Sequence, residues 1–225
     1  QIEFTRHVIE KDLEFHEIGT AKYKTDIIAV DIDGDGDIDI ATLTTESYNY
    51  ESMITWYENN GTQDFIRHDI DTLNTTLRVI KMKDMDNDGD IDIIISQGRG
   101  REEELTLYEN IGSERFTPKT LDVHSDSFWG IYLTAIDIVD MNSDGLLDIV
   151  CGWINFGSGG FIMEYLNTGS LNFSKIELPY EWYQPHSIVG VDIDKDEDMD
   201  YLVASGETSS LELYEKVDTS FVLCE

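Results

Sequence analysis

The chain holds 225 residues, 40% apolar and 11% aromatic, with 15 Lys and Arg against 47 Asp and Glu, for a formal charge of −32. That apolar share supports a sizeable core and excludes wholesale disorder. So acidic a surface repels phosphate backbones and anionic lipid heads, which argues against nucleic-acid and membrane-surface roles.

The first expected element is a strand within residues 1–10. Phe4-Thr-Arg-His-Val-Ile matches Phe65-Ile-Arg-His-Asp-Ile further on, so it reads as an orphan outer strand ahead of the repeats. The start at Gln1 rather than Met suggests a processed or trimmed form. An acidic string follows, DIDGDGDID from Asp31, with apolar IIAV before it and IATL after it. A segment carrying Tyr57 (ITWYENNG) and one opening at Phe65 complete the unit. The same series returns three times. DMDNDGDID from Asp84 leads to Tyr108 and Phe116, DMNSDGLLD from Asp140 to Tyr165 and Phe173, and DIDKDEDMD from Asp192 to Tyr214 and Phe221. The strings start every 52 to 56 residues.

Each unit therefore reads as four short strands: one into the acidic loop, one out of it, one with the Tyr and one with the Phe. Val, Ile, Thr and aromatic residues in short runs, punctuated by Asn-Gly and Gly-Ser turns, favour strands, and no window holds a 3.6-residue apolar period. The expected fold is all-β, a single repeat domain over residues 1–225. It is a β-propeller-type array of four four-stranded blades at about 20–71, 77–122, 132–179 and 186–225. No segment approaches the roughly 20 apolar residues that span a bilayer, so no membrane insertion is expected.

The acidic strings are expected to be calcium loops, each lying between the first two strands of its blade. In the first, Asp31, Asp33, Asp35 and Asp39 offer side-chain oxygens at positions 1, 3, 5 and 9, and Asp37 offers its backbone carbonyl at position 7. Six to eight oxygens in flexible geometry suit Ca²⁺, and Gly36 at position 6 permits the sharp turn. The second loop repeats this with Asp84, Asp86, Asp88, Asp90 and Asp92. The third uses Asp140, Asn142, Asp144, Leu146 through its backbone, and Asp148. The fourth uses Asp192, Asp194, Asp196, Asp198 and Asp200, but places Glu197 where the others have Gly. No His or Cys lies in any loop, so softer metals are disfavoured. Position 12, a bidentate Glu in an EF-hand, is here Thr42, Ile95, Cys151 or Val203, which rejects that motif. Bare solvated turns would leave 19 of the 47 acidic residues crowded together without compensation, whereas four Ca²⁺ bring the formal charge from −32 to −24.

The D-x-D-x-D-G-x-x-D loop, followed by W-Y-E-N-N-G and F-x-x-H-x-I, resembles the FG-GAP/VCBS repeat across essentially the whole chain. The resemblance implies integrin-α-like propellers of secreted proteins, with calcium bracing the loop rather than doing chemistry. Such propellers usually hold more blades than the four repeats found here.

Three functions compete on this reading. The expected one is a secreted or cell-surface, non-enzymatic module for adhesion, matrix or appendage assembly, self-associating through its N-terminal strand. Its partners are then other protein subunits, and low-affinity calcium sites favour a calcium-rich exterior. The second is a lectin-like module for extracellular glycans, suggested by Phe128, Trp129, Tyr132, Trp153, Phe156, Tyr180, Trp182 and Tyr183, although inter-blade packing accounts for aromatics more simply. The third is a polysaccharide-degrading enzyme drawing on His124, His186, Arg99, Arg101 or Asp137, but no acid–base pair stands out and no catalytic residue is assigned. His7 and His68 occupy equivalent repeat positions and read as structural. Cys151 and Cys224 are too few for a disulfide scaffold, and paired or free are both compatible with the sequence.

Overall fold

The computed structural model describes residues 8–9, 22–46, 51–62, 64–126, 130–155, 159–178, 184–206, 209–217 and 220–224. All regular structure among them is strand, in four four-stranded sheets. Sheet one contains β1 (Lys22–Val30), β2 (Asp39–Glu46), β3 (Glu51–Asn59) and β4 (Phe65–Asn74), and sheet two contains β5 (Thr76–Lys83), β6 (Asp92–Arg99), β7 (Glu102–Asn110) and β8 (Phe116–Ser125). Sheet three contains β9 (Ile131–Val139), β10 (Asp148–Asn155), β11 (Gly159–Asn167) and β12 (Phe173–Glu177), and sheet four contains β13 (Pro185–Val191), β14 (Asp200–Ser205), β15 (Ser210–Val217) and β16 (Ser220–Cys224). In every sheet the strands neighbour one another in chain order, as antiparallel meanders do. The orphan strand expected in residues 1–10 lies outside the described residues, apart from positions 8 and 9.

The chain divides into two compact units, Gln1–Leu77 and Arg78–Glu225. In the first, alternate residues of sheet one fill a buried face: Ala41, Leu43, Ile54 and Trp56 are at most 2% exposed. Each Leu or Ile so buried stabilises the fold by ~1.5–3 kcal/mol. Beyond the inner half of its strands the sheet turns polar, and Ser52 Oγ donates to Thr45 Oγ1 at 3.0 Å.

The second unit shows how one sheet seats on the next. Ile94, Leu105 and Leu107 of sheet two share a core with Ile149, Cys151 and Tyr165 of sheet three. The opposite face of sheet three, with Ala135, Val150 and Ile162, shares a second core with Ile188, Tyr201, Val203 and Tyr214 of sheet four. The period-two alternation of a strand thus becomes two apolar faces per sheet, one turned to the preceding sheet and one to the following. Polar links cross the same seams. Tyr165 donates its hydroxyl to Asp122 at 2.9 Å, and Thr134 donates its hydroxyl to the Pro185 carbonyl at 2.6 Å. Burial works against the Asp122 charge, but bonds from Lys175 and Tyr165 outweigh it and hold this carboxyl below its ordinary pKa.

An ion pair of sheet two lies against sheet three at the same seam. Glu103 is 1% exposed and receives Arg78 Nε at 3.2 Å, while the Arg78 guanidinium rests 4.5 Å over the Tyr132 ring. Burial pushes the Glu103 carboxyl up to about 7, and Arg78 offsets this only in part. Cys151, wholly buried in β10, is a free thiol whose pKa burial raises well above the ordinary value.

Candidate metal centres

Every acidic loop joins the first and second strands of its sheet and folds around its own carboxylates. At position 1, Asp31 accepts Gly34 N at 2.9 Å on one oxygen and Gly36 N at 3.0 Å on the other. Asp192 accepts the corresponding Lys195 N at 2.7 Å and Glu197 N at 3.3 Å. Asp84 and Asp140 take their first bond from position 5 instead, Asp88 N at 3.2 Å and Asp144 N at 3.1 Å, and their second from Gly89 N and Gly145 N at 3.0 and 2.9 Å. At position 3, Asp33, Asp86, Asn142 and Asp194 accept the N–H two residues on, at 3.1, 3.3, 3.0 and 3.2 Å. At position 5, Asp35, Asp88, Asp144 and Asp196 do the same at 2.8, 2.9, 2.8 and 3.0 Å. These are successive Asx turns, the conformation that short acidic side chains favour.

Two residues per loop have positive φ. Position 6 is Gly36 at 97°, Gly89 at 98°, Gly145 at 87° and Glu197 at 77°. Position 4 is Gly34, Asn87, Ser143 or Lys195, at 76°, 62°, 58° and 66°. Glu197 and Lys195 therefore adopt the loop conformation that sequence alone marks as unfavourable for them, each at a cost of ~1 kcal/mol.

Position 9 plays a second part. Asp39, Asp92, Asp148 and Asp200 are at most 1% exposed. One oxygen of each accepts the position-2 N–H, from Ile32, Met85, Met141 or Ile193, at 2.9, 2.9, 2.9 and 3.1 Å. The other accepts a backbone N–H at the end of the third strand, from Asn59, Asn110, Asn167 or Lys216, at 2.7, 2.8, 2.7 and 2.9 Å. This carboxylate ties the loop to strands two and three. The third-strand asparagines also donate from their side chains, Asn59 to the Ile38 carbonyl at 3.1 Å and Asn167 to the Leu147 carbonyl at 3.3 Å. Sequence reading gave these asparagines no part of their own. Their fixed place two residues after the repeat Tyr is the signal that marks them as loop supports.

Three loops bring carboxylate oxygens of positions 1, 3 and 9 within 4.8 Å of one another: Asp31, Asp33 and Asp39; Asp84, Asp86 and Asp92; Asp192, Asp194 and Asp200. In loop three the position-3 group is an amide, and Asn142 Nδ2 donates to Asp144 Oδ2 at 3.0 Å. Position-7 side chains turn elsewhere. A Cβ placed on Gly61 would come 2.6 Å from Asp37 Oδ2, one on Gly112 would come 3.6 Å from Asp90 Oδ2, and Lys216 Nζ approaches Asp198 at 3.6 Å. Leu146 stands at the same position in loop three, where only a backbone donor is available.

Crowding and burial oppose ionisation here. Burial, then the charges of Asp86 and Asp88, push Asp92 up to about 6 despite its two N–H bonds. Burial with the charges of Asp144 and Asp140 raises Asp148, and burial with Asp35 and Asp39 raises Asp33. Each oxygen that accepts one N–H keeps a further lone pair. A converging set of hard oxygen donors, held by backbone bonds and short of positive charge, fits a hard divalent cation rather than a soft one.

The other residues raised by the sequence fall outside these loops. His68 Nε2 lies 2.7 Å from Glu58 Oε2 and edge-on to Trp56, a surface packing role. His124 sits 3.2 Å from Asp122 and 4.4 Å from the Trp153 ring. Asp137 accepts Gly190 N at 2.9 Å, a structural link between sheets three and four. Trp153 is fully buried, which assigns it to the core, whereas Phe128, Trp129, Phe156, Tyr180, Trp182 and Tyr183, like His7, lie outside the described residues.

No curated protein matches the chain significantly. Among solved structures it is similar to a rhamnogalacturonan lyase of Bacillus licheniformis, at 16% identity and a TM-score of 0.54, over 87% of this chain and 47% of that one. It is also similar to the exotype rhamnogalacturonan lyase YesX, at 17% identity and a TM-score of 0.52, over 87% and 45%. A third likeness is to the rhamnogalacturonan lyase YesW, at 16% and 0.54, over 83% and 41%. At such identities the likeness is one of fold, and the chain spans under half the length of these structures. The model of the FG-GAP-like repeat matches residues 31–95, 84–151 and 140–203, each match opening at an acidic loop and ending inside the second strand of the next sheet. With one loop geometry in all four sheets and these matches spanning most of its length, the chain belongs to the FG-GAP-like repeat family.

Proposed function

We propose that the protein is a calcium-braced β-propeller-type module of the cell exterior that serves adhesion or assembly rather than catalysis. Each acidic loop takes one Ca²⁺ through positions 1, 3, 5 and 9 and the position-7 carbonyl, up to four ions in all. The observation that carries this reading is the position-9 carboxylate, buried yet turned toward the position-1 and position-3 oxygens in three loops. An ion there offsets the desolvation and repulsion of the cluster and stiffens the joint between strands two and three. Loop four, with side chains on both positive-φ residues, is the weakest site. Partners are other protein subunits, with the N-terminal strand as one route of association.

Calorimetric titration with calcium, alongside molar mass by light scattering in calcium and in EDTA, tests the reading. Saturable binding with a rise in melting temperature supports it. Absence of heat and of any thermal shift up to tens of millimolar overturns it.

A second reading, a glycan-binding or glycan-processing module, is favoured by the fold likeness to rhamnogalacturonan lyases. Retention on immobilised acidic polysaccharide in calcium, lost in Trp129→Ala or Trp182→Ala variants that still fold, would select it.

A further inference from the structure

Within the second unit, hydrogen bonds run without a break from one acidic loop to the next. The run starts at loop position 2. In loop two, Met85 gives its N–H to the buried Asp92 of its own loop at 2.9 Å, while its carbonyl accepts Asn167 Nδ2 of sheet three at 3.0 Å. Asn167 in turn gives its backbone N–H to Asp148, the position-9 carboxylate of loop three, at 2.7 Å. The other oxygen of Asp148 accepts Met141 N at 2.9 Å, and Met141 repeats the part of Met85. Its carbonyl lies 3.5 Å from Lys216 Nζ of sheet four, and Lys216 gives its backbone N–H to Asp200 of loop four at 2.9 Å. A parallel contact joins two loops directly, with Ser143 Oγ donating to the Glu197 carbonyl at 3.4 Å.

Packing follows the same route. Met85 belongs to the core that sheets two and three share, and Met141 to the core that sheets three and four share. There Tyr201 donates its hydroxyl to Met141 Sδ at 3.2 Å. Asn167 is as deeply buried as the position-9 aspartates, so solvent does not compete for its bonds. Position 2 is therefore where a loop, its own brace and the next sheet meet. The side chain at the end of the third strand makes the reach, by an amide from sheet three and an ammonium from sheet four. Its backbone N–H serves the brace separately. A hydrocarbon side chain at residue 167 would thus keep the braces of both loops and cut the link between them.

We propose that loops two, three and four bind calcium cooperatively, each filled loop raising the affinity of its neighbour through the run from Met85 by way of Asn167, Asp148, Met141 and Lys216 to Asp200. The inference rests on the calcium reading above and deepens it. Fixing Asp148 fixes the two N–H groups bonded to it, those of Asn167 and Met141. Asn167 holds loop two by its amide, and Met141 offers its carbonyl to the strand end that braces loop four. The ordering cost met when loop three fills is then not met again in the loops beside it. Electrostatics alone gives the opposite sign. On a chain of charge −32, each divalent ion makes the shared potential less negative and weakens the pull on the next ion. Salt at about 150 mM confines that opposition to about 8 Å. Positive coupling is the signature of the bonded route.

The test reads each loop separately on the full chain, by the amide resonances of Gly89, Gly145 and Glu197 during a CaCl₂ titration in about 150 mM NaCl. Each of these N–H groups is bonded to the position-1 carboxylate of its own loop. Asn142→Ala removes a loop-three oxygen without changing the charge, and an unresponsive Gly145 confirms that loop three no longer fills. Asp144→Asn is the second variant of that loop. Either substitution is expected to lower the calcium affinity of loops two and four by about fivefold or more, the lower end of ordinary coupling. With Asn167→Leu added, loop two should become indifferent to loop three while loop four still responds. With Lys216→Met and Ser143→Ala added instead, the pattern should reverse. Circular dichroism checks that each variant folds, and the two link backgrounds are independent, so either alone carries the test. Affinities at loops two and four that stay unchanged or rise when loop three is lost overturn the proposal, as do losses that persist in both link backgrounds. Resonances that shift with independent affinities sink this inference and leave the calcium-braced module standing. Resonances that do not respond at any loop sink both.

Discussion

Asp33 and Asp148 belong to the same kind of loop and are expected to fail differently. Asp33 is exposed and accepts a single N–H, from Asp35, in a loop that its own charge makes less stable. Asp33→Ala should lower the melting temperature in millimolar calcium and leave it nearly unchanged in EDTA. Asp148 is wholly buried and accepts Met141 N and Asn167 N. Asp148→Ala strands two buried donors, at ~1–3 kcal/mol each, and should destabilise the chain with or without calcium. Equal effects of the two substitutions in EDTA would count against this division of labour. A pH test belongs at the same scale. The buried Glu103 carboxyl has its pKa raised to about 7 in the folded chain, against an ordinary value of 4.5. A raised carboxyl contributes stability that is full below pH 4.5 and is lost as pH climbs to 7. Denaturation of wild type and Glu103→Gln across that window should show wild type losing on the order of 3 kcal/mol relative to the variant as pH rises. Parallel pH profiles would show that Arg78 already keeps Glu103 ionised throughout.

Among the elements, the loops show where sequence reading succeeds and where it stops. Acidic or amide side chains at alternate positions marked all four loops, three of them with a glycine at position 6, and the apolar runs on either side marked the flanking strands, because local spacing dictates local conformation. The part played by position 9 was harder to read: a buried brace and an exposed loop carboxylate are both written Asp, and the difference lies in the third strand some twenty residues away. The same holds for Ile27, Ile80, Ile136 and Ile188, identical in type and register yet 65% exposed in one case and at most 3% in the others. What covers a residue is a matter of packing, which no local pattern encodes. Loop four allows a direct trial of the backbone argument. Glu197→Gly removes a side chain from φ 77° and should stabilise the chain by ~1 kcal/mol while tightening calcium at that loop, as calorimetry would register. Weaker calcium binding in this variant would mean that the Glu197 side chain contributes more than its backbone costs.

For the molecule as a whole, a charge of −32 is the dominant electrostatic fact. Without calcium, self-repulsion should make stability climb with sodium chloride, as the screening length contracts from ~10 Å at 0.1 M to ~3 Å at 1 M. With calcium bound the climb should be shallower, so melting curves across a salt series in EDTA and in calcium should converge at high salt. A calcium benefit undiminished at 1 M would point to specific coordination geometry as its main source. The solitary thiol in the middle of sheet three adds a kinetic consequence. Cys151 has no solvent contact and resists deprotonation, so a thiol reagent meets it only when the two faces of that sheet part. In a Cys224→Ser background, the labelling rate of Cys151 becomes a clock for the breathing of the repeat stack, and each calcium ion that leaves should be heard as a quickening of that clock.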